Sequence, residues 1–124
     1  MPLSFYKWEY VMHEYAITEN IIKTVNTEAA KAGAKKITEI KLVIGDLSSV
    51  VDESVQMYFD IISKGTLAEC AKLVFRRIPA EYRCKKCANE FVRKNSSFNC
   101  PECGGDSILT DKGKEFYIES IEVE

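Results

Sequence analysis

Residues 84–103 read CKKCANEFVRKNSSFNCPEC, and this stretch decides how the rest of the chain divides. Two Cys-x-x-Cys pairs, Cys84–Cys87 and Cys100–Cys103, stand twelve residues apart. Zinc takes four soft ligands in a tetrahedron, and two tight turns carrying paired cysteines supply that arrangement with little strain. Pro101 and the Gly104-Gly105 pair suit such a turn, where amides approach the sulfurs and glycine permits unusual backbone angles. With all four sulfurs engaged the site is closed. The spacing therefore predicts a structural Zn2+ site rather than a catalytic one with an open position for water. A thioredoxin-like pair would place a single Cys-x-x-Cys at the start of a helix. An iron–sulfur centre can use the same ligands, but the paired spacing favours zinc.

The segment is short on aliphatic residues, so its fold must come from something other than an apolar core. Phe91 and Phe98 read as a miniature core more readily than as base-stacking platforms. Arg83, Lys85, Lys86, Arg93 and Lys94 outweigh Glu90 and Glu102. Four thiolates and one Zn2+ reduce that excess to about +1, a poor electrostatic footprint for nucleic acid. The fifth cysteine, Cys70, stands apart and reads as a buried, inert thiol.

Working outward, the flanks carry regular periodicities. From Glu14 to Ala32, Ile17, Ile21, Val25 and Ala29 recur every four residues, which predicts a helix ending at Gly33. KKITEIKLVIGDL alternates as a strand, buried more on the face of Thr38, Ile40, Leu42 and Ile44, and Gly45-Asp46 breaks it. A second helix is expected over 52–64, with Val55, Phe59 and Ile62 on one face. AKLVFRRI is a second strand, and EFYIESIEV, after the cysteines, a last one. A strand after the module implies that the module is inserted. The expected fold is α/β (α+β): two helices packed on a small sheet of about three strands, with an inserted four-cysteine zinc ribbon. The divisions are residues 1–11 as an N-terminal extension of uncertain status, 12–80 with 110–124 as the α/β domain, and 81–109 as the ribbon.

The totals agree with one modest domain: 124 residues, 46% hydrophobic, 29% charged, net charge -2. No run of apolar residues is long enough to span a membrane, and no secretion signal precedes the first helix. The cytoplasm is expected, with cysteines reduced or metal-bound. No catalytic constellation is visible, and no glycine-rich phosphate loop, so the chain reads as no enzyme.

One histidine remains, His13, in MHEYAI at 12–17. Together with GDL at 45–47, GTLAE at 65–69 before a strand, and the paired cysteines, it closely resembles the HypA/HybF family of nickel metallochaperones. The likeness covers about residues 12–124. It implies a carrier of Ni2+ cargo that helps insert the metal into [NiFe]-hydrogenase during maturation. The implied partners are a nickel GTPase of that pathway and the hydrogenase large-subunit precursor, with no nucleic acid and no membrane, and a homodimer among the open states of assembly.

The resemblance also implies a nickel site at Met12, His13 and Glu14. In the family, nickel sits in a planar nitrogen set made by the terminal amine, the imidazole matching His13, and main-chain amides at His13 and Glu14. Planar nitrogen donors suit Ni(II). The Glu14 carboxylate would orient the site or meet a partner. Here eleven residues precede Met12. Three arrangements follow: the working chain starts at Met12; the extension is removed or folds back; or His13 and amides bind nickel alone and more weakly. The competing reading is a zinc-ribbon nucleic-acid-binding or protein-interaction module.

Overall fold

The structure, a computed structural model, describes residues 3–93 and 97–124, with side chains from Glu14 onward. The elements run α1 (Leu3–Lys31), β1 (Ile37–Gly45), α2 (Asp52–Ile62), β2 (Lys72–Ile78), β3 (Glu81–Cys84), β4 (Glu90–Val92), β5 (Ser107–Leu109) and β6 (Phe116–Val123). This is the expected α+β chain of two helices, with two three-stranded sheets ordered β2-β1-β6 and β4-β3-β5. Among the described residues no helix is long and apolar enough to cross a membrane.

α1 starts earlier than the periodicity from Glu14 suggests. No glycine or proline lies between Pro2 and Gly33, so nothing in the sequence stops a helix there. α2 ends at Ile62, two residues before the expected limit, where the Ser63 N–H closes the last turn on the Phe59 carbonyl at 2.9 Å.

Two compact units divide the chain: residues 1–42, 50–75 and 118–124, and residues 43–49 and 76–117. In the first unit α1 and α2 pack together. Ile21, Ile22, Val25 and Ala29 of α1 are buried, as are Ile37, Ile40 and Leu42 of β1 and Val55 and Phe59 of α2. Burying a side chain such as Phe59 is worth about 1.5–3 kcal/mol. The chain end closes the unit: the Lys35 N–H reaches the Glu124 carbonyl, and the Glu124 N–H the Lys36 carbonyl, both at 2.8 Å. The last strand therefore returns to the start of β1, as an inserted cysteine module requires.

In the second unit, Val43 and Ile44 are both fully buried. Successive residues of a strand face opposite ways, so the end of β1 is covered on both faces. The sequence predicts a strand buried more on the face of Ile40, Leu42 and Ile44; Val43, on the other face, is buried as well. After β1, the Gly-Asp-Leu turn is stitched to both segments that flank the cysteine module. The Asp46 N–H bonds the Ile78 carbonyl at 2.9 Å, and the N–H groups of Gly45 and Leu47 bond the carbonyls of Glu115 and Gly113 at 2.7 and 2.6 Å. A Cβ on Gly45 would overlap the Gly113 carbonyl. Gly113 itself has φ +98°, and a Cβ there would lie 2.9 Å from the Ala80 Cα. Only glycine fits this crossing of three backbones.

Candidate metal centres

β3 runs antiparallel to both β4 and β5, with Tyr82 opposite Phe91 and Leu109, and Cys84 opposite Ser107. Cys84 closes β3 and opens a knuckle that repeats in the second pair. The Ala88 N–H bonds the Cys84 carbonyl at 3.1 Å, and the Gly104 N–H bonds the Cys100 carbonyl at 2.8 Å. The Cys84 N–H bonds the Asn89 carbonyl, and the Cys100 N–H the Gly105 carbonyl, both at 2.9 Å. The residue after each second cysteine is left-handed: Ala88 at φ +62° and Gly104 at φ +76°. The two halves of the stretch thus have one geometry, with alanine standing where the second half has glycine.

These turns bring the four sulfurs within 4.8 Å of one another. Cys84 and Cys103 lie 3.4 Å apart, Cys87 and Cys100 3.6 Å. Zinc–sulfur bonds of about 2.3 Å imply tetrahedron edges of about 3.8 Å, so the set fits that ion. The first sulfur of each pair also collects amide donors, as thiolates do when they bind metal. Cys84 Sγ accepts from the N–H groups of Lys86 and Cys87 at 3.3 and 3.5 Å. Cys100 Sγ accepts from the Glu102 N–H at 3.4 Å and from Asn89 Nδ2 at 3.7 Å. The Asn89 amide reaches from one knuckle to the sulfur of the other. Sequence reasoning missed it, because its only signal is its place two residues after Cys87.

The donors shape the thiols. The Cys87 N–H holds the Cys84 thiol below its ordinary value, against burial and with help from Lys86. Burial pushes the Cys100 thiol up, but the N–H groups of Cys103 and Glu102, then Asn89 and Cys87, bring it down to about 6. For Cys87 the Asn89 N–H is outweighed by desolvation and the three other sulfurs, which push the thiol up to about 12. At Cys103 the Gly105 N–H is likewise outweighed, first by Cys84, and the thiol is raised. The quartet thus divides into two thiols held below and two held above their ordinary values, one of each in either pair.

The aromatics beside the quartet hold one another. Tyr82 stacks on Phe91 with ring centres 6.0 Å apart and meets Phe98 edge-on at 5.5 Å. The Arg93 guanidinium lies 4.6 Å from the Phe98 ring centre. This is the small core expected of Phe91 and Phe98, with Tyr82 at its middle. The rings are engaged with each other and with Arg93 rather than spread as a platform for bases. Cys70 departs from expectation. It is exposed, at φ +66°, in the turn that leads into β2.

Met12 and His13 fall within α1, and their side chains lie outside the described residues. Glu14 is described: its Oε2 accepts the Val51 N–H at 3.3 Å. Among the described residues the cysteine quartet is the one gathering of three or more His, Cys, Asp or Glu side chains suited to a metal.

Comparison with known proteins points one way. The model of the family described as "Hydrogenase/urease nickel incorporation, metallochaperone, hypA" matches residues 12–123. A hydrogenase maturation factor HypA of Caldanaerobacter subterraneus subsp. tengcongensis is 49% identical over 114 residues, covering 91% of this chain and 100% of that relative. One of Dehalococcoides mccartyi is 48% identical over 113 residues, covering 91% and 95%. A solution structure of HypA protein matches with a TM-score of 0.66 at 25% identity, over 91% of this chain and 97% of that one.

Proposed function

The chain belongs to the HypA family of nickel-incorporation metallochaperones, and from that membership we propose that it carries Ni2+ for [NiFe]-hydrogenase maturation through Met12, His13 and Glu14. The family match carries this reading, since it begins at Met12, one residue before the only histidine. Metallochaperones move a metal rather than transform a substrate, and the chain is no enzyme.

His13 supplies an imidazole, and the main-chain nitrogens of His13 and Glu14 supply amides that lose their protons to the metal. Fused chelate rings of this kind favour planar Ni(II). They open when the amides regain protons, which lets an acceptor draw the ion off. The amine of Met12 completes the set in a chain that begins there. The receiver is the [NiFe]-hydrogenase large-subunit precursor, and a nickel GTPase is the partner in delivery.

Cys84, Cys87, Cys100 and Cys103 hold zinc as a structural ion. Zinc there supplies cross-linking of residues 81–109 in place of an apolar core. Residues 12–80 with 110–124 form the nickel-handling part.

The test compares nickel uptake by chains beginning at Met1 and at Met12, each with and without His13→Ala. The Met12 chain should take one Ni2+ in a planar, diamagnetic site, and His13→Ala should abolish uptake while zinc content stays. Unchanged nickel binding in His13→Ala would place the cargo site elsewhere.

A further inference from the structure

The two cysteine knuckles are tied to each other by a main-chain bond and by a side-chain bond. Beside Cys84, the Lys85 N–H donates to the Asp106 carbonyl at 2.8 Å, continuing the pairing of Cys84 with Ser107. Two residues after Cys87, the Asn89 Nδ2 donates to Cys100 Sγ at 3.7 Å. Asn89 is itself anchored in the first knuckle. Its carbonyl accepts the Cys84 N–H at 2.9 Å, and its own N–H serves the Cys87 sulfur. One half-buried residue thus engages three of the four cysteines. Its main chain is spent inside one knuckle, and its side chain reaches the other.

That reach bears on which metal the quartet accepts. Divalent metals of the first row compete for such sites, and proteins choose among them by geometry more than by raw affinity. Zinc takes a tetrahedron, in which the planes of the two Cys-x-x-Cys pairs stand perpendicular. Ni2+ favours a plane, in which both pairs must lie flat together. Passing from the first to the second twists one knuckle against the other. A knuckle tied at one point can twist about it, whereas a second tie opposes the motion. The Lys85–Asp106 bond is the first tie, and the Asn89 carboxamide is the second.

We infer that Asn89 is a positioning residue that sets the metal choice of the quartet: its carboxamide keeps the two knuckles crossed, which suits zinc and opposes planar Ni2+. This rests on the structural-zinc reading of the four cysteines. A nickel carrier has particular need of such a device, because four thiolates in the same chain would otherwise trap its cargo.

The full chain and its Asn89→Ala and Asn89→Asp variants, stripped of metal and offered Zn2+ and Ni2+ together, provide the test. Bound zinc is measured by elemental analysis. Nickel on the thiolates is read from its sulfur-to-metal charge-transfer band, which an all-nitrogen cargo site lacks. The parent should fill the quartet with zinc and show little of that band. Asn89→Ala should lower the preference for zinc over nickel about tenfold, the lower end of the usual loss when an outer partner of a metal site is removed. Nickel held there should be planar and diamagnetic. Asn89→Asp keeps the shape but turns an oxygen toward the sulfur, so its preference should fall at least as far. The inference is overturned if zinc and nickel affinities fall together in Asn89→Ala, which would make the bond a plain contribution to folding. It is equally overturned if nickel in that variant is paramagnetic and tetrahedral. If the parent takes up no zinc even when offered zinc alone, the structural-zinc reading fails and this inference falls with it. If the parent holds zinc and Asn89→Ala shows the same preference, the inference fails alone.

Discussion

The Gly113 carbonyl occupies the space that a Cβ on Gly45 would need. The obstacle is main chain on both sides, so no side chain can swing away to make room. Leu47 fixes the approach further, since its N–H bonds that same carbonyl. Gly45→Ala must therefore displace the segment leaving the cysteine module, and overpacking of this kind costs about 2–3 kcal/mol. A lower midpoint in denaturant with an unchanged slope is the expected result. A midpoint equal to the parent's would mean that the crossing yields freely.

The knuckle repeat makes a prediction of the opposite sign. Ala88 and Gly104 occupy equivalent left-handed positions, but only Gly104 lacks a Cβ. A non-glycine residue in that region costs about 1–2 kcal/mol. Ala88→Gly should stabilise the zinc-loaded module by about 1 kcal/mol after the glycine's greater unfolded entropy is discounted. Slower loss of zinc to a chelator is the measurement. Faster loss would show that the Ala88 methyl packs against something worth more than the strain.

Much of this architecture could be read from residue types, and the exceptions have physical reasons. β1 and α2 showed themselves through periods that follow from burial, and the quartet through the fixed appetite of zinc for four close sulfurs. The second sheet did not, because β4 and β5 are three residues each, too short for alternation to register. Cys70 was misjudged because cysteine is usually buried, whereas here a turn leaves it exposed. The Glu14 tether was illegible for a different reason. Its partner is a main-chain N–H, which carries no mark of residue type.

Losing zinc should affect the two compact units unequally. The unit holding α1 and α2 has its own buried core in Ile21, Val25, Ile40 and Phe59. The strands β3, β4 and β5 have the four sulfurs and the Tyr82 cluster. Structural zinc supplies about 10–16 kcal/mol to small modules of this type. Cys84→Ser should abolish tight zinc binding and the near-ultraviolet signal of Tyr82 while the helical far-ultraviolet signal persists. Equal loss of both signals would show that the helical unit does not stand without the ribbon.

Acid should act on zinc through Cys100. Its thiol, at about 6, is already anionic near neutral pH, whereas Cys87, at about 12, still holds its proton. Zinc must displace every proton that remains on its ligands. Uptake by the metal-free chain at about pH 7 should then release fewer than four protons, because a group with a depressed value has already given its own up. As pH falls through about 6, Cys100 regains that proton. The release count then rises toward four, and affinity gains one further power of ten of loss for each pH unit. Calorimetry in two buffers of different ionisation enthalpy reads the count directly. A count that stays level on both sides of that pH would show that the Glu102, Cys103 and Asn89 donors do not hold Cys100 as a thiolate.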